Sequence, residues 1–345
     1  GKNAFADTLL HCILIPSTVD DLQEGWCKNT KYLNKVYLYS NNKNYKYADF
    51  QHQIIVGKND KNGKKYDVLV FASRKIHDAL IPEDIKYIGS YSFEHCKHLF
   101  ISSYEFLNSI QSIGKSAFAY ANLYSFTISK NIHTIGKAAF YQLKVYYFEI
   151  EAGSNLNSIS DSLFEGCKFS YLDIPNDSKI KSIGKKSFKN TSIDNFFIQT
   201  SVIDFTDKSF NHLSISFSPN NQRFSYADKN HQIIIGKIDT NDENFDTIFY
   251  ATSKIKKAII PNYIKHINSN AFKKCEKLKE IEISENSQLL SIGKAAFANT
   301  KIKRILIPKN VSKLLEKTFY GCYELRCFEF LGDYLDFIPN VVDYC

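Results

Sequence analysis

Ile113-Gly-Lys-Ser-Ala-Phe118 recurs almost unchanged as Ile135-Gly-Lys-Ala-Ala-Phe140, and this motif decides how the chain folds. It returns as Ile183-Gly-Lys-Lys-Ser-Phe188 and Ile292-Gly-Lys-Ala-Ala-Phe297. Weaker copies lie at 88–93, 159–164, 267–272 and 314–319, and 1–5 is the same motif without its first residue. Neighbouring copies are mostly 22 to 25 residues apart. That period is typical of stacked repeat units rather than of independent domains.

Each unit continues from the motif into a short alternating apolar stretch that proline often closes. Ile13-Leu-Ile15-Pro16 and Ile305-Leu-Ile307-Pro308 are examples. Alternation with period two predicts a strand buried on one side, and proline ends it because it lacks a backbone donor. We interpret the Gly-x-x-Ala-Phe stretch as a short helical turn on the opposite side. One unit cannot bury its apolar side alone, so the sequence predicts a single stack of about a dozen coils.

A longer repeat, with an offset of 179 residues, is superimposed on the short one. His52-Gln-Ile-Ile-Val-Gly-Lys58 matches His231-Gln-Ile-Ile-Ile-Gly-Lys237, which indicates an internal duplication. Within each copy the short period is interrupted, at about 42–74 and at about 221–253. Both segments have two apolar stretches around a polar turn, which predicts an inserted β-hairpin. The predicted organisation is therefore one solenoid over 1–345 with two hairpin inserts.

The pattern Ile-Gly-x-x-Ala-Phe-x-x-Cys, followed after a few residues by Ile-x-Ile-Pro, resembles the BspA-like subclass of leucine-rich repeats. The resemblance covers essentially the whole chain. It implies an α/β fold, a right-handed, horseshoe-like leucine-rich-repeat solenoid with a parallel concave β-sheet. Members are typically surface-exposed or secreted proteins of bacteria and mucosal protist parasites, and they are often linked to adhesion. This chain departs from the pattern where the motif glycine is replaced, at Ser160, Asn268 and Leu315.

Composition excludes several classes of protein. The chain has 345 residues, of which 44% are hydrophobic and 23% charged, as in a globular protein. The net charge of +8 is spread along the chain without a run of like charges, so we expect no nucleic-acid partner. No apolar run reaches the ~18 residues of a membrane helix, so we expect no membrane insertion within these residues. Methionine is absent, and we expect Gly1 to be an artificial or processing boundary.

The cysteines and histidines favour packing over chemistry. Cys96, Cys167, Cys275 and Cys322 each follow a motif phenylalanine by three residues, in a position that other coils fill with alanine or leucine. A position with that tolerance is a small buried packing site. His95 and His98 flank Cys96, but the chain has no Cys-x-x-Cys pair, so no metal site is predicted. The pairing of Cys345 stays open, as does glycosylation at Asn176, Asn190 and Asn310.

No nucleophile elbow, phosphate-binding loop or dinucleotide-binding glycine pattern is present, so the sequence predicts a protein that is not an enzyme and has no cofactor. The functional candidate is instead the concave wall, where alternate strand residues must point outward. These outward positions are Tyr37, Tyr147, Glu149, Tyr171, Asp173, Phe197, Glu280, Glu282, Arg304 and Glu329. Aromatic residues lie in the first half and the middle, and acids recur from Glu149 onward.

Exposed aromatic residues on a rigid sheet are good anchors for a partner. We therefore hypothesise a protein–protein or protein–glycan interaction module that uses these ten residues. The favoured role is an adhesin, at the cell surface or secreted, that binds host or matrix macromolecules. The alternative is an intracellular, cytoplasmic scaffold that has the same repeat fold and no enzymatic activity. The sequence leaves the identity of the partner open.

Overall fold

A computed structural model describes residues 1–101, 108–193, 195–199, 201–202, 204–205, 214–218, 220–239, 241–337 and 340–342. The chain forms two compact units, one of residues 1–194 with 204–211 and the other of residues 195–203 with 212–345. Each unit is a β-solenoid whose coils carry a longer strand on one side and a short strand on another. Helical conformation within the described residues is confined to Asn108 and Ser109.

The first unit contains two sets of strands. The first set, which we call the long-strand side because most of its strands have four to seven residues, is β1 Cys12–Ile15, β2 Lys35–Leu38, β6 Asp78–Ala79, β8 Phe100–Ile101, β10 Asn122–Ile128, β12 Lys144–Ile150 and β14 Lys168–Asp173. The other set is β3 Tyr45–Tyr47, β4 Ile54–Gly57, β5 Val68–Ala72, β7 Tyr87–Ile88, β9 Ser112–Ile113, β11 Thr134–Ile135, β13 Ser158–Ile159, β15 Ser182–Ile183 and β17 Asp204–Phe205. Pairing between successive coils is parallel on both sides, for example β10 with β12 and β12 with β14.

The second unit repeats this arrangement. Its long-strand side contains β16 Asn195–Ile198, β18 Ser214–Phe217, β22 Lys257–Ile260, β24 Glu280–Ile283, β26 Arg304–Ile307 and β28 Cys327–Phe330. Its other strands are β19 Phe224–Tyr226, β20 Ile233–Gly236, β21 Thr247–Ala251, β23 His266–Ile267, β25 Ser291–Ile292, β27 Lys313–Leu314 and β29 Asp336–Phe337, which form one seven-stranded sheet.

The motif stretch is a ladder of turns, so the predicted helical turn is wrong. In the coil of Phe93, alternate amides donate to the next coil: Tyr91 N to Lys115 O (3.0 Å), Phe93 N to Ala117 O (2.8 Å) and His95 N to Ala119 O (2.8 Å). The amides between them close turns within their own coil. Tyr91 and His95 both have a φ of 63°, which no α-helix contains. A helix would satisfy its amides locally and leave none for the neighbouring coil.

The motif phenylalanines form the core. Phe93, Phe118, Phe140, Phe164 and Phe188 are fully buried in the first unit and stack in one column, with ring centroids 5.0 to 5.7 Å apart. A second column from the strands, which includes Phe126 and Phe148, meets the first edge-on. Phe272, Phe297 and Phe319 make the equivalent column in the second unit. Stacked and edge-on pairs are the preferred aromatic geometries, so the column holds the coils at a regular spacing.

Both predicted hairpin segments contain antiparallel strands. β3, β4 and β5 form an antiparallel run in the first unit, and β5 then pairs in parallel with β7. β19, β20, β21 and β23 repeat these pairings in the second unit with strand bounds shifted by 179 residues. Each insert therefore contains three strands rather than two, and its last strand continues the sheet of short strands.

The motif glycine lies where successive coils come closest. A Cβ on Gly136 would lie 2.5 Å from the amide nitrogen of Lys115, and one on Gly184 would lie 2.7 Å from that of Asp161. Both distances are too short for a carbon and a nitrogen that are not bonded to each other. The coils can therefore approach this closely only because glycine has no side chain.

We expect Gly136→Ala to lower the free energy of unfolding by about 1–3 kcal/mol, because the added methyl group must push two backbones apart. Urea denaturation measures this. Ser160→Ala is the matched control, since position 160 already carries a Cβ and loses only a long hydrogen bond to Gly136 O (3.4 Å). Equal destabilisation by the two variants would contradict the assigned role of the glycine.

Candidate interaction surface

All ten residues predicted to point outward lie on the long-strand sides. Nine are exposed and Glu149 is half-buried. The two units divide the set equally. Tyr37, Tyr147, Glu149, Tyr171 and Asp173 belong to the first unit, and Phe197, Glu280, Glu282, Arg304 and Glu329 to the second. The ten residues therefore belong to two separate surfaces, one on each unit.

The first unit gathers four tyrosines, Tyr124, Tyr146, Tyr147 and Tyr171, into what we call the tyrosine face. They stand on the adjacent parallel strands β10, β12 and β14, with exposed fractions between 36% and 64%. The Tyr124 and Tyr146 rings stack with centroids 5.5 Å apart and planes 14° apart. Tyr146 and Tyr171 meet edge-on at 5.4 Å. These contacts hold the side chains in place before any partner arrives.

Sequence reasoning missed Tyr124 and Tyr146 because the strands do not alternate regularly. Leu123 and Phe126 are both buried, so the two residues between them face outward together. β12 repeats the pattern with Val145 and Phe148 buried around its adjacent tyrosines. Strict alternation would have turned Tyr146 inward. The three-residue spacing of the apolar side chains was the signal in the sequence.

Acidic groups border the tyrosine face. Glu149 and Asp173 are paired in register on β12 and β14, two residues beyond Tyr147 and Tyr171. The Glu149 carboxylate, with a smaller effect of Asp173, raises the pKa of Tyr147. The phenol of Tyr171 raises the pKa of Tyr146. Tyr146 and Tyr147 therefore keep their hydroxyl donors at physiological pH.

Tyr37 lies on β2, directly opposite Leu14 of β1. Both side chains are about half exposed, Tyr37 at 48% and Leu14 at 54%. They make a smaller apolar pair on the same side of the unit as the tyrosine face.

The acids of the second unit are engaged in ion pairs with neighbouring basic side chains. Lys257 Nζ lies 2.5 Å from Glu282 Oε1 and 3.7 Å from Glu280 Oε2. The Arg304 guanidinium lies 3.8 Å from Glu329 Oε2. Exposed ion pairs of this kind contribute little to stability, but they neutralise the surface. Parallel register places Lys257 beside Glu280 and so brings the opposite charges together.

A buried charged cluster in the first unit also escaped sequence reasoning. The Arg74 guanidinium donates to backbone carbonyls of two different coils, Ser92 O at 2.9 Å and Thr30 O at 3.4 Å. The Glu94 carboxylate accepts the amide of Asn29 (2.5 Å), and the His95 ring hydrogen-bonds to the Asn29 side chain (2.8 Å). Arg74 thus supplies hydrogen-bond donors to these backbone carbonyls at the point where the first insert replaces a motif turn. The cluster is structural, because its side chains are buried.

Comparison with known proteins now identifies the repeat. The family model described as BspA type leucine rich repeat region matches six copies, over residues 1–60, 64–177, 111–231 and 243–338. The chain belongs to the BspA type leucine-rich repeat family. Comparison with curated proteins finds no match.

Two solved structures are similar to this BspA type chain in fold. One is a leucine rich cell surface protein from Faecalibacterium prausnitzii, 17% identical, covering 83% of this chain and 95% of its own with a TM-score of 0.54. The other is a leucine-rich repeat protein from Eubacterium ventriosum, 20% identical, covering 82% of this chain and 71% of its own with a TM-score of 0.51. The family, together with the fold, supports the interpretation of this chain as a repeat protein that acts as an interaction module.

The repeat cysteines of the BspA type motif are buried, as predicted. Cys96, Cys167, Cys275 and Cys322 are at most 1% exposed. Each thiol contacts a carbonyl of the preceding coil, as Cys167 does with Phe140 O at 2.8 Å. Burial raises the pKa of Cys96 to about 11 and that of Cys275 to about 12, so these thiols are not nucleophiles. Cys345 lies outside the described residues.

The remaining candidates occupy ordinary positions. His52 stacks on Tyr47 and His231 on Tyr226, with centroids 4.0 and 4.1 Å apart. Asn176, Asn190 and Asn310 are exposed. Among the described residues no group of three or more potential ligands could hold a metal ion. No helix in that part of the chain is long and apolar enough to span a bilayer.

Glu94 should make the stability of the first unit depend on pH. Burial raises the pKa of Glu94 to about 7, although Arg74 and the Asn29 amide oppose the shift. The folded pKa exceeds the unfolded one, so the contribution is complete below the unfolded pKa and is lost as pH rises through 7. We expect the Glu94 contribution to the unfolding free energy to fall by on the order of 3 kcal/mol between pH 5 and pH 8. Burial lowers the pKa of His95 to about 4, so His95 contributes in the opposite direction over part of this range.

Urea denaturation at several pH values measures the slope of stability against pH, and Glu94→Gln should shift this slope in the positive direction, since only the opposing His95 contribution remains. Glu165→Gln is the matched control. Glu165 follows Phe164 as Glu94 follows Phe93, so the two residues occupy the same position in their repeats. Glu165 differs because it forms an ion pair with Lys189 at 3.4 Å. An unchanged slope in Glu94→Gln would exclude Glu94 as its source.

Proposed function

We propose that this BspA type chain is a non-enzymatic adhesion module that binds a protein partner through the tyrosine face. The observation that carries the proposal is the set of four exposed tyrosines on three adjacent, paired strands. Tyrosine is enriched among the residues that dominate binding energy at interfaces, because it offers apolar area and a hydroxyl on a side chain with few rotamers.

Rigidity supports the tyrosine face as an anchor. Phe126 and Phe148 are inward-facing residues of β10 and β12, two of the strands that carry it, and both are packed in the aromatic core. The Tyr124 and Tyr146 rings are already stacked on one another. A partner therefore loses little free energy to ordering these side chains, which is the main saving in a preorganised site.

The same stacking favours a protein over a glycan. Because Tyr124 and Tyr146 stack on each other, each of them has one ring face covered, which leaves less open ring surface on which a sugar could stack. Glu149 and Asp173 add a negative border. A protein surface with apolar groups and nearby basic side chains complements this combination.

Family membership supports a location at the cell surface or in secretion. The similar protein from Faecalibacterium prausnitzii is itself described as a cell surface protein. An intracellular scaffold with the same face is the competing proposal.

Tyr146→Ala combined with Tyr171→Ala should weaken partner binding at least about tenfold, since two anchors together supply more than about 1.4 kcal/mol. The partner is first captured from a panel of matrix proteins, host-cell lysate and glycans, and affinity is then measured by biolayer interferometry. Tyr323→Ala combined with Tyr334→Ala is the matched control, because these tyrosines are 74% and 73% exposed on the second unit. Equal loss in both double variants would rule out the tyrosine face, and capture of glycans alone would rule out a protein partner.

An antibody against the chain should label intact, unpermeabilised source cells or their culture medium. Permeabilised cells provide the control for total protein. Label that appears only after permeabilisation would exclude the adhesin role and favour the scaffold.

A further inference from the structure

The second insert and the coils that follow it line an open cavity that is separate from the tyrosine face. Its volume is about 500 Å³, and all of its lining residues belong to the second unit. The walls include Tyr226, Phe245 and Tyr263, and the carboxylates of Glu243 and Asp246 line it as well. This size is within the range of ordinary ligand pockets.

The first insert shows what occupies the corresponding place there. Lys46 is paired with Val56 on β3 and β4, as Ser225 is paired with Ile235 on β19 and β20. Lys46 Nζ lies 4.6 Å from the centroid of Tyr66, the counterpart of Phe245. In the second insert the short Ser225 lines the cavity instead. The first insert thus places its own ammonium group where the second leaves space.

A second lysine lies near the aromatic ring in both inserts. Lys58 Nζ lies 5.2 Å from the Tyr66 centroid, and Lys237 Nζ lies 5.1 Å from the Phe245 centroid. The ring position in the first insert therefore accommodates two ammonium groups, of which the second insert supplies one.

Charge at the rim has also become more negative, which favours an external cation in the place of the missing lysine. Lys64 and Lys65 of the first insert correspond to Glu243 and Asn244 of the second. Asp246 is engaged by Lys265 at 3.1 Å, whereas no ion pair within the described residues involves Glu243. Residues 43–67 contain six lysines and three aspartates, and residues 222–246 contain three basic and five acidic residues.

We propose that the cavity of the second insert binds an alkylammonium group in the place that Lys46 occupies in the first. Phe245, Tyr226 and Tyr263 provide aromatic surface for the cation, and Glu243 provides the opposite charge. The ammonium group comes from a lysine side chain of a partner protein or from a free amine. The site does not depend on the tyrosine face.

Ligand-observed NMR titration with butylammonium, spermidine and the capped peptide acetyl-Gly-Lys-Gly-amide tests the site. Butanol and the corresponding norleucine peptide are the neutral controls. We expect saturable binding of the cations at one site and at least about threefold weaker binding of the neutral probes, as a cation–π contact of this strength implies. Strongest binding of the lysine peptide assigns the site to a protein side chain, and strongest binding of a free amine assigns it to small amines.

Ser225→Lys should fill the cavity as Lys46 does and weaken cation binding about tenfold or more. Ser312→Lys adds the same charge at an exposed position of the same unit, and it should have little effect. Glu243→Gln should weaken binding more than Glu285→Gln, which removes an exposed carboxylate elsewhere in the unit. Circular dichroism confirms that each variant folds.

Absence of saturable binding, equal binding of neutral probes, or equal effects of Ser225→Lys and Ser312→Lys would overturn the proposal. The Tyr146→Ala, Tyr171→Ala double variant should bind the amines normally. Failure of this site is therefore distinguishable from failure of the tyrosine face.

Discussion

The backbone hydrogen bonds between successive motif turns are the constraint on which the rest of each unit depends. Every second amide of the turn is donated to the next coil, as Phe118 N is to Ala139 O at 2.8 Å. That pattern requires positive φ at residues such as Ser116 and Tyr120, and it leaves no space for a side chain at Gly136. The same spacing brings the motif phenylalanines into stacking distance. Core, turn and glycine are thus consequences of one repeated contact.

Much of this was readable from the sequence, because stacking repeats one pattern many times. The motif predicted the buried phenylalanines and the small cysteine position, and the alternating stretches predicted outward strand residues, although not Tyr124 and Tyr146, where the alternation fails. The turn conformation was not readable, because an apolar residue four positions after the motif isoleucine suits a helix as well as a turn. Arg74 was missed because its partners are backbone carbonyls, which leave no trace in the pattern of side chains. Lys257 could have been found, since the repeat register alone aligns it with Glu280.

The two units have the same fold but present different surfaces. In the first, regular alternation fails on β10 and β12, and a pair of outward residues on each strand builds the tyrosine face. In the second, ion pairs neutralise the equivalent side, and the distinctive feature is the cavity of the insert. The exchange of Lys46 for Ser225, together with the change from Lys64 to Glu243 at the rim, distinguishes the aromatic site that the first insert fills from the open one of the second. Substitution at a few exposed positions gives a repeat protein a new surface with little loss of stability, since the core is unaffected.

Hydroxyl-radical footprinting of the chain with its captured partner examines the tyrosine face most directly, because it reports on individual side chains in the folded, unmodified protein. Binding through this face predicts that oxidation of Tyr124, Tyr146 and Tyr171 falls in the complex while that of Tyr323 and Tyr334 is unchanged, since both sets are exposed in the free chain. Protection of Tyr323 and Tyr334 with continued oxidation of Tyr124, Tyr146 and Tyr171 would contradict it.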